Sequence, residues 1–172
     1  QAIRQVWTFT ALFLDAAAIT AQSVVGYYYG SGRQVQATKV AGLVCRWSLM
    51  IGFGLLVIML IGTRPVAALL VPASAVAQFG PAWTVAALFQ PLAALAFVTD
   101  GIHWGTGDFG YLRNAVCTAT VTAGAVLLIT EMVGVISLDF IWWCTGFWIV
   151  VRAGLGMARI WPGSRTGPLG GR

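Results

Sequence analysis

Apolar residues run in five long blocks along this chain, separated by short segments rich in glycine, proline and charge. A membrane span needs about 20 mostly apolar residues. Five stretches meet that length: Val6 to Tyr29, Val40 to Gly62, Pro81 to Trp104, Ala115 to Val133 and Leu138 to Ala158. A sixth apolar piece, Arg64-Pro65-Val66 to Leu70-Val71-Pro72, is too short to cross. It reads as an extension of the second helix past a proline kink, or as a segment lying in the interface. Gly30-Ser31-Gly32-Arg33 is a turn signal, Gly105-Thr106-Gly107-Asp108 closes the third span, and Gly134 separates the fourth from the fifth. Pro81 suits a first helical turn. The end of the chain, 161–172, is rich in glycine and proline and reads as a disordered tail. The expected fold is therefore all-α, a polytopic membrane protein over residues 1–160.

Composition agrees. Of 172 residues, 59% are apolar and 9% charged, with a mean hydropathy of +0.84. Soluble domains carry about 25% charged residues. Five acids and ten bases cannot cover the surface of a soluble domain this size. That excludes an ordinary cytosolic domain, a disordered chain and a nucleic-acid binder. The +5 net charge instead labels one side of a membrane. If the first span runs outside to inside, Arg33, Lys39, Arg46, Arg113, Arg152, Arg159, Arg165 and Arg172 fall inside, against Arg4 and Arg64 outside. Trp7, Trp83, Trp142 and Trp143 would mark the outer boundary, and Trp47, Trp104 and Trp161 the inner one. The chain opens on Gln1 with no basic region and cleavage site, so a signal peptide is not expected. An amino terminus outside suggests the back part of a protein with more helices. Cys45, Cys117 and Cys144 lack metal or redox spacing and read as small core residues.

Few residues could carry chemistry. Asp15 lies mid-span, where a carboxylate costs about 2.5–3.5 kcal/mol on insertion scales and must face protein or water. It reads either as a proton- or cation-handling group or as a hydrogen-bond partner for a neighbouring helix. Gln22, seven residues on, shares its face, with Ser23 beside it. Gln90-Pro91 interrupts the third span, and bent helices near an acid suit a transporter cavity. Asp100 and His103, at i and i+3, could exchange a proton or form a hydrogen bond; both fall near the inner interface, where hydration favours a plain role for His103. One histidine makes a metal site weak. Gly105-Thr106-Gly107-Asp108 also contains the G-x-G-D string of intramembrane aspartyl proteases, with Asp15 as an imagined second acid; the plainer reading is a turn with a capping aspartate. Gly26/Gly30 and Gly101/Gly105 are small-x-x-x-small pairs that favour close helix packing.

Leu14-Asp15-Ala16, Ala21-Gln22-Ser23-Val24-Val25-Gly26 and Gly30-Ser31-Gly32-Arg33 together resemble the eighth helix of MATE multidrug and toxin extrusion transporters, most closely the DinF-type branch. Gln90-Pro91-Leu92-Ala93-Ala94-Leu95-Ala96-Phe97, Asp100-Gly101 and Gly107-Asp108-Phe109 resemble that branch's tenth helix and following turn. The resemblance implies helices eight to twelve of a twelve-helix transporter, most of its rear six-helix lobe. It further implies a plasma-membrane antiporter that exchanges protons or sodium ions for amphipathic or cationic compounds by alternating access. Its partners would be lipid, the small-molecule substrate and the front lobe of the same chain, with no cofactor beyond the coupling ion. Asp15 and Gln22 would line the rear half of a central cavity and Pro91 would bend its wall. Ala93 stands where the branch usually has Asn and sodium-coupled relatives an acid, which removes a cation ligand there. A non-transporting structural subunit is the alternative, with the protease behind it.

The charge distribution yields a direct topology test. Single cysteines at Ser31 and Ser74, in full-length protein lacking native cysteines, are expected to react with an impermeant thiol reagent from opposite sides of the membrane. Labelling of both from one side would reject the orientation.

Overall fold

The computed structural model describes residues 1–134, 137–161 and 167–170. Seven helices follow in order: α1 (Ala2–Gly30), α2 (Gln34–Ile61), α3 (Thr63–Leu70), α4 (Val76–Leu88), α5 (Gln90–Thr106), α6 (Phe109–Val133) and α7 (Leu138–Ile160), with a 3-10 turn at Ala73–Ala75 before α4. No strand occurs among the described residues. Helices α1, α2, α6 and α7 are each long and apolar enough to cross a membrane. Ala73–Leu88 and α5, which meet at 43°, are together long and apolar enough for a fifth crossing if the bent pair is one span.

The helices run up and down, and the core stacks in three layers. Ile3, Met59, Phe79 and Trp83 pack at one end. Leu14, Leu55, Ala93 and Ile149 fill the middle. Ala21, Val25, Ala37, Ala41, Val98, Ile102 and Ile160 pack at the other end. Helix α5 is central, packed on α1, α2 and α7, while α6 rests mainly on α7.

The pairing of α1 with α5 follows from missing side chains. A Cβ on Gly105 would stand 2.5 Å from the Gln22 carbonyl oxygen, and one on Gly26 would stand 3.0 Å from the Gly105 carbonyl oxygen. Gly101 faces the Ala18 backbone in the same way. Backbone therefore rests on backbone, as small-residue stripes permit in lipid. Gly30, expected to act as Gly26's partner, has open space around it. Gly32 and Gly107 serve differently. Each adopts positive φ (73° and 74°) to end a helix in a left-handed cap, and the following amide closes the last turn: Arg33 N–H to Tyr28 O and Asp108 N–H to His103 O, both at 3.0 Å.

Several expectations change. The third span bends at Gln90-Pro91 as expected, but the bend is a full break: the first helix stops before Phe89, and Pro91 sits in the first turn of α5. Proline lacks the N–H that an unbroken helix would direct at the Ala87 carbonyl, so a new helix start is its natural place. Pro81 lies inside α4 instead of its first turn, because the helix begins at Val76. The short apolar segment is a separate helix, α3, with no buried residue. Helix α6 starts at Phe109, ahead of the expected Ala115, since the left-handed Gly107 lets the chain re-enter a helix at once. Trp83, expected at the membrane boundary, is a core residue, 1% exposed, whose indole N–H donates to Met59 O at 2.8 Å. Of the tail expected to be disordered, 162–166 and 171–172 lie outside the described residues; Leu169 is buried beside Ala37, Ala41 and Ile160.

The α1–α5 contact can be tested in the full-length protein. Gly105→Leu should lower thermal stability by about 1–3 kcal/mol or more, the range for overpacking a tight contact. Gly30→Leu should change it by less than about 0.5 kcal/mol, as surface substitutions do. Equal effects would mean that the contact does not organise the bundle.

Candidate functional site

Polar side chains gather in three places. The first is the helix break. Gln90 is fully buried. Its side-chain amide donates to Thr10 Oγ1 at 3.1 Å and approaches Met59 Sδ at 3.3 Å. Thr10 in turn donates to Trp7 O at 2.8 Å. Gln90 Oε1 has no partner among the described residues. On the other side, Gly52 lets α2 approach the break: a Cβ there would lie 2.7 Å from Pro91 Cα and 2.9 Å from Gln90 O. Gln90 thus ties α1, α2 and α5 together and does not face an open cavity. Ala93, one turn on, is buried in the apolar middle layer, with no polar group in its place.

The second place is the end of the bundle that holds the α1–α2 and α5–α6 turns. Asp100 does not pair with His103, as the i,i+3 spacing had suggested; it accepts from the Arg152 guanidinium. Arg152 also stacks over Trp148 and Phe97, 4.9 and 5.5 Å from the ring centres. His103 is 0% exposed, contrary to the hydrated position expected from its nearness to a turn. The reason is that α7 covers it: His103 Nε2 lies 3.3 Å from Gly156 O, while Nδ1 lies 3.5 Å from Asp108 Oδ2. Asp108 occupies the N-cap position of α6, yet its side chain makes no capping bond. Its carboxylate instead accepts two bonds from Arg159, at 2.9 and 3.3 Å. Tyr111 completes the group, its ring under the Arg159 guanidinium and its hydroxyl donating to Leu155 O at 2.8 Å.

Arg152, Arg159 and Tyr111 were missed as site residues. The two arginines entered the sequence reading only as inner-side charges. The usable signal was their position inside a 23-residue apolar helix, seven residues apart, hence on one face. Intramembrane cations ask for acidic partners, and Asp100 and Asp108 are such acids on the neighbouring elements.

The third place is one flank of α1. Asp15 lies near the middle of the helix and is exposed, as are Gln22 and Ser23. Neither Asp15 nor Gln22 makes a side-chain hydrogen bond or ion pair among the described residues; Ser23 bonds only its own helix, at Ile19 O. The structure therefore brings Asp100, Asp108 and His103 together and leaves Asp15, Gln22 and Gln90 apart from them. Asp15 does not approach the described helices as a second protease acid would need to.

A family model described as MatE matches residues 1–130. The chain belongs to the MatE family. It is similar to three Arabidopsis thaliana proteins in particular. Protein DETOXIFICATION 44, chloroplastic, is 31% identical over 98% of this chain and 32% of its own length. Protein DETOXIFICATION 42 is likewise 31% identical over 98% of this chain and 32% of its own length. Protein DETOXIFICATION 43 is 29% identical over 95% of this chain and 31% of its own. The chain thus spans about a third of the length of these relatives. No solved structure matches it.

The Asp100–Arg152 pair makes a quantitative claim, since removing one member of a largely buried pair strands the other. In full-length protein, Asp100→Ala and Arg152→Met should each destabilise, and the double variant should recover part of the loss. A double-mutant cycle on thermal or denaturant unfolding should give a coupling of about 0.5–3 kcal/mol. Additive losses would mean that the pair contributes nothing net.

Proposed function

We propose that this chain is most of the rear lobe of a secondary antiporter that exports amphipathic or cationic compounds by alternating access, in the DinF-type branch of the family, and that it is not an enzyme. One observation carries the reading. Asp15 is the acid near the middle of a long span; it has no side-chain partner among the described residues and shares an open helix flank with Gln22, whereas Glu131 and Asp139, also unpaired there, lie at helix ends. Asp100 and Asp108, by contrast, are neutralised by Arg152 and Arg159. A carboxyl whose charge changes with protonation is what exchange needs, and a mid-membrane acid persists only where protein or water receives it. The Asp15–Gln22 flank is then the rear wall of a central cavity whose other wall is the front lobe. The bend at Phe89–Pro91 shapes α5 behind it.

The coupling ion is a proton or sodium, and no other cofactor or nucleic acid takes part. Expulsion of one positive charge against 100 mV costs about 2.3 kcal/mol, which entry of one cation offsets. The charge asymmetry supports a plasma-membrane orientation with the carboxyl-terminal end in the cytoplasm. Arg33, Lys39, Arg46, Arg113, Arg152 and Arg159 lie towards one end of the bundle, and Arg4 and Arg64 towards the other.

The test is drug efflux by the intact transporter at matched membrane levels, over a pH series. Asp15→Asn should slow efflux by about tenfold or more, equivalent to about 1.4 kcal/mol of barrier, and should flatten the pH dependence. Asp100→Asn should do less, because its carboxylate is held by Arg152. If Asp15→Asn keeps the wild-type rate and pH profile, Asp15 is structural. If neither variant nor the wild type drives efflux, the structural-subunit reading replaces the transporter.

A further inference from the structure

His103 is fully buried, and the proposed exchange leaves it without a role. Its Nε2 lies 3.3 Å from the Gly156 carbonyl oxygen of α7. A carbonyl only accepts, so Nε2 carries the proton of the neutral ring. Nδ1 is then a bare acceptor. It has no hydrogen-bond partner among the described residues and faces a second acceptor, Asp108 Oδ2, at 3.5 Å. A further proton, on Nδ1, would find that carboxylate about 0.5 Å beyond the usual bonding length.

The carboxylate is already in use. Asp108 Oδ2 accepts from Arg159 Nε at 2.9 Å, and Oδ1 accepts from Arg159 Nη2 at 3.3 Å. A protonated ring would therefore put two cations on one oxygen. The two rivals are not held alike. Asp108 and His103 belong to one turn, closed by the Asp108 N–H on His103 O at 3.0 Å. Arg159 arrives on a separate helix, and its side chain, 25% exposed, can turn to water. Arg159 is thus the partner that yields.

The other groups around the ring have their own commitments. Asp100, on the same helix, is taken by Arg152 of α7. Tyr111 of α6, its ring centre 5.4 Å from that of His103, donates its hydroxyl to Leu155 O. From α1 and α2, Tyr28, Tyr29 and Cys45 pack on the core layer that holds Ile102. Asp108 is the acid that faces the ring and can change partner. Its side chain is 17% exposed, which gives a proton a way in. We propose that His103 is a pH-sensitive latch: proton uptake on Nδ1 moves Asp108 from Arg159 to His103 and unties the end of α7 from the turn between α5 and α6.

The experiment is amide hydrogen exchange on purified full-length protein from about pH 8 to about pH 5, the range in which histidine changes charge, with each rate corrected for the chemical exchange rate at that pH. Amides of residues 157–161 should exchange about tenfold faster or more at the acid end, the ratio for losing a bond to a charged group. His103→Gln keeps a donor for the Gly156 carbonyl but takes up no proton, so its corrected exchange at 157–161 should be the same at both ends of the range. Asp108→Asn removes the carboxylate that changes hands and should leave 157–161 in fast exchange throughout. A further reading needs neither variant to fold. In protein whose histidines outside this chain are replaced, the ring nitrogen NMR signals of His103 should pass from a singly to a doubly protonated pattern as 157–161 loosens. The proposal is overturned if the wild type shows no loosening at acid pH, if His103→Gln keeps it, or if the ring stays singly protonated throughout. No readout involves transport, so failure here is separate from any failure of efflux.

Discussion

The contact of α1 with α5, backbone on backbone, is the constraint from which the rest of the bundle follows. In lipid no hydrophobic force drives one apolar helix onto another, so close packing of small residues must do it. Gly26, Gly101 and Gly105 remove the side chains that would hold the two helices apart. With α5 fixed against α1, its remaining surface receives α2 through Gly52 and α7 through Gly156, which faces Thr99. The break at Phe89 lets α4 leave towards α7 and α2 while α5 stays in the core.

Polar groups obey a second rule, set by the low dielectric. Each buried one needs a partner, because an unpaired group costs more there than in water. At one end of the bundle two acid–arginine pairs and the His103 Nε2 contact with the Gly156 carbonyl meet most of this need, while His103 Nδ1, 3.5 Å from Asp108, and Arg152 Nε have no hydrogen-bond partner among the described residues. These bonds join α5, the turn after it and α7, so that end behaves as one tied unit. Asp15 stands outside this pairing, which is why it, and not the better-connected Asp100, carries the functional reading. Gln90 sits between the two cases: its amide is bonded across to α1, and its carbonyl oxygen is left over beside the helix break.

Much of the fold was legible from local rules. Four long apolar helices and a fifth, bent candidate crossing, the glycine turns and the interruption at Gln90-Pro91 each depend on a short stretch of chain: its length, its hydropathy, or a residue that cannot make a given backbone bond. The motif order around Asp15, Gln22 and Gln90 was enough to place the chain in its family, which the match over residues 1–130 bears out. Errors arose where a neighbour from far along the chain decides. His103 was expected in water because its own helix ends nearby, yet α7 lies over it. Asp108 was expected to cap α6, yet Arg159 takes its carboxylate, donating two charge-assisted hydrogen bonds that together outweigh a capping contact. Trp83 was expected at the boundary, yet it fills the core under Met59.

The sequence by itself determined what each segment can be: a helix that crosses, a turn that needs positive φ, an acid too costly to leave in lipid. Those properties follow from the energy of a residue in its local backbone and surrounding solvent. Only the tertiary structure decided who meets whom: that Asp100 takes Arg152 and Asp108 takes Arg159, that Gly30 is idle while Gly105 is essential to packing, and that α1 leaves Asp15 on an open flank. Pairings between residues about 50 positions apart depend on the rotation and depth at which whole helices pack. Those quantities are set jointly by all the contacting faces, so no single stretch of sequence contains them.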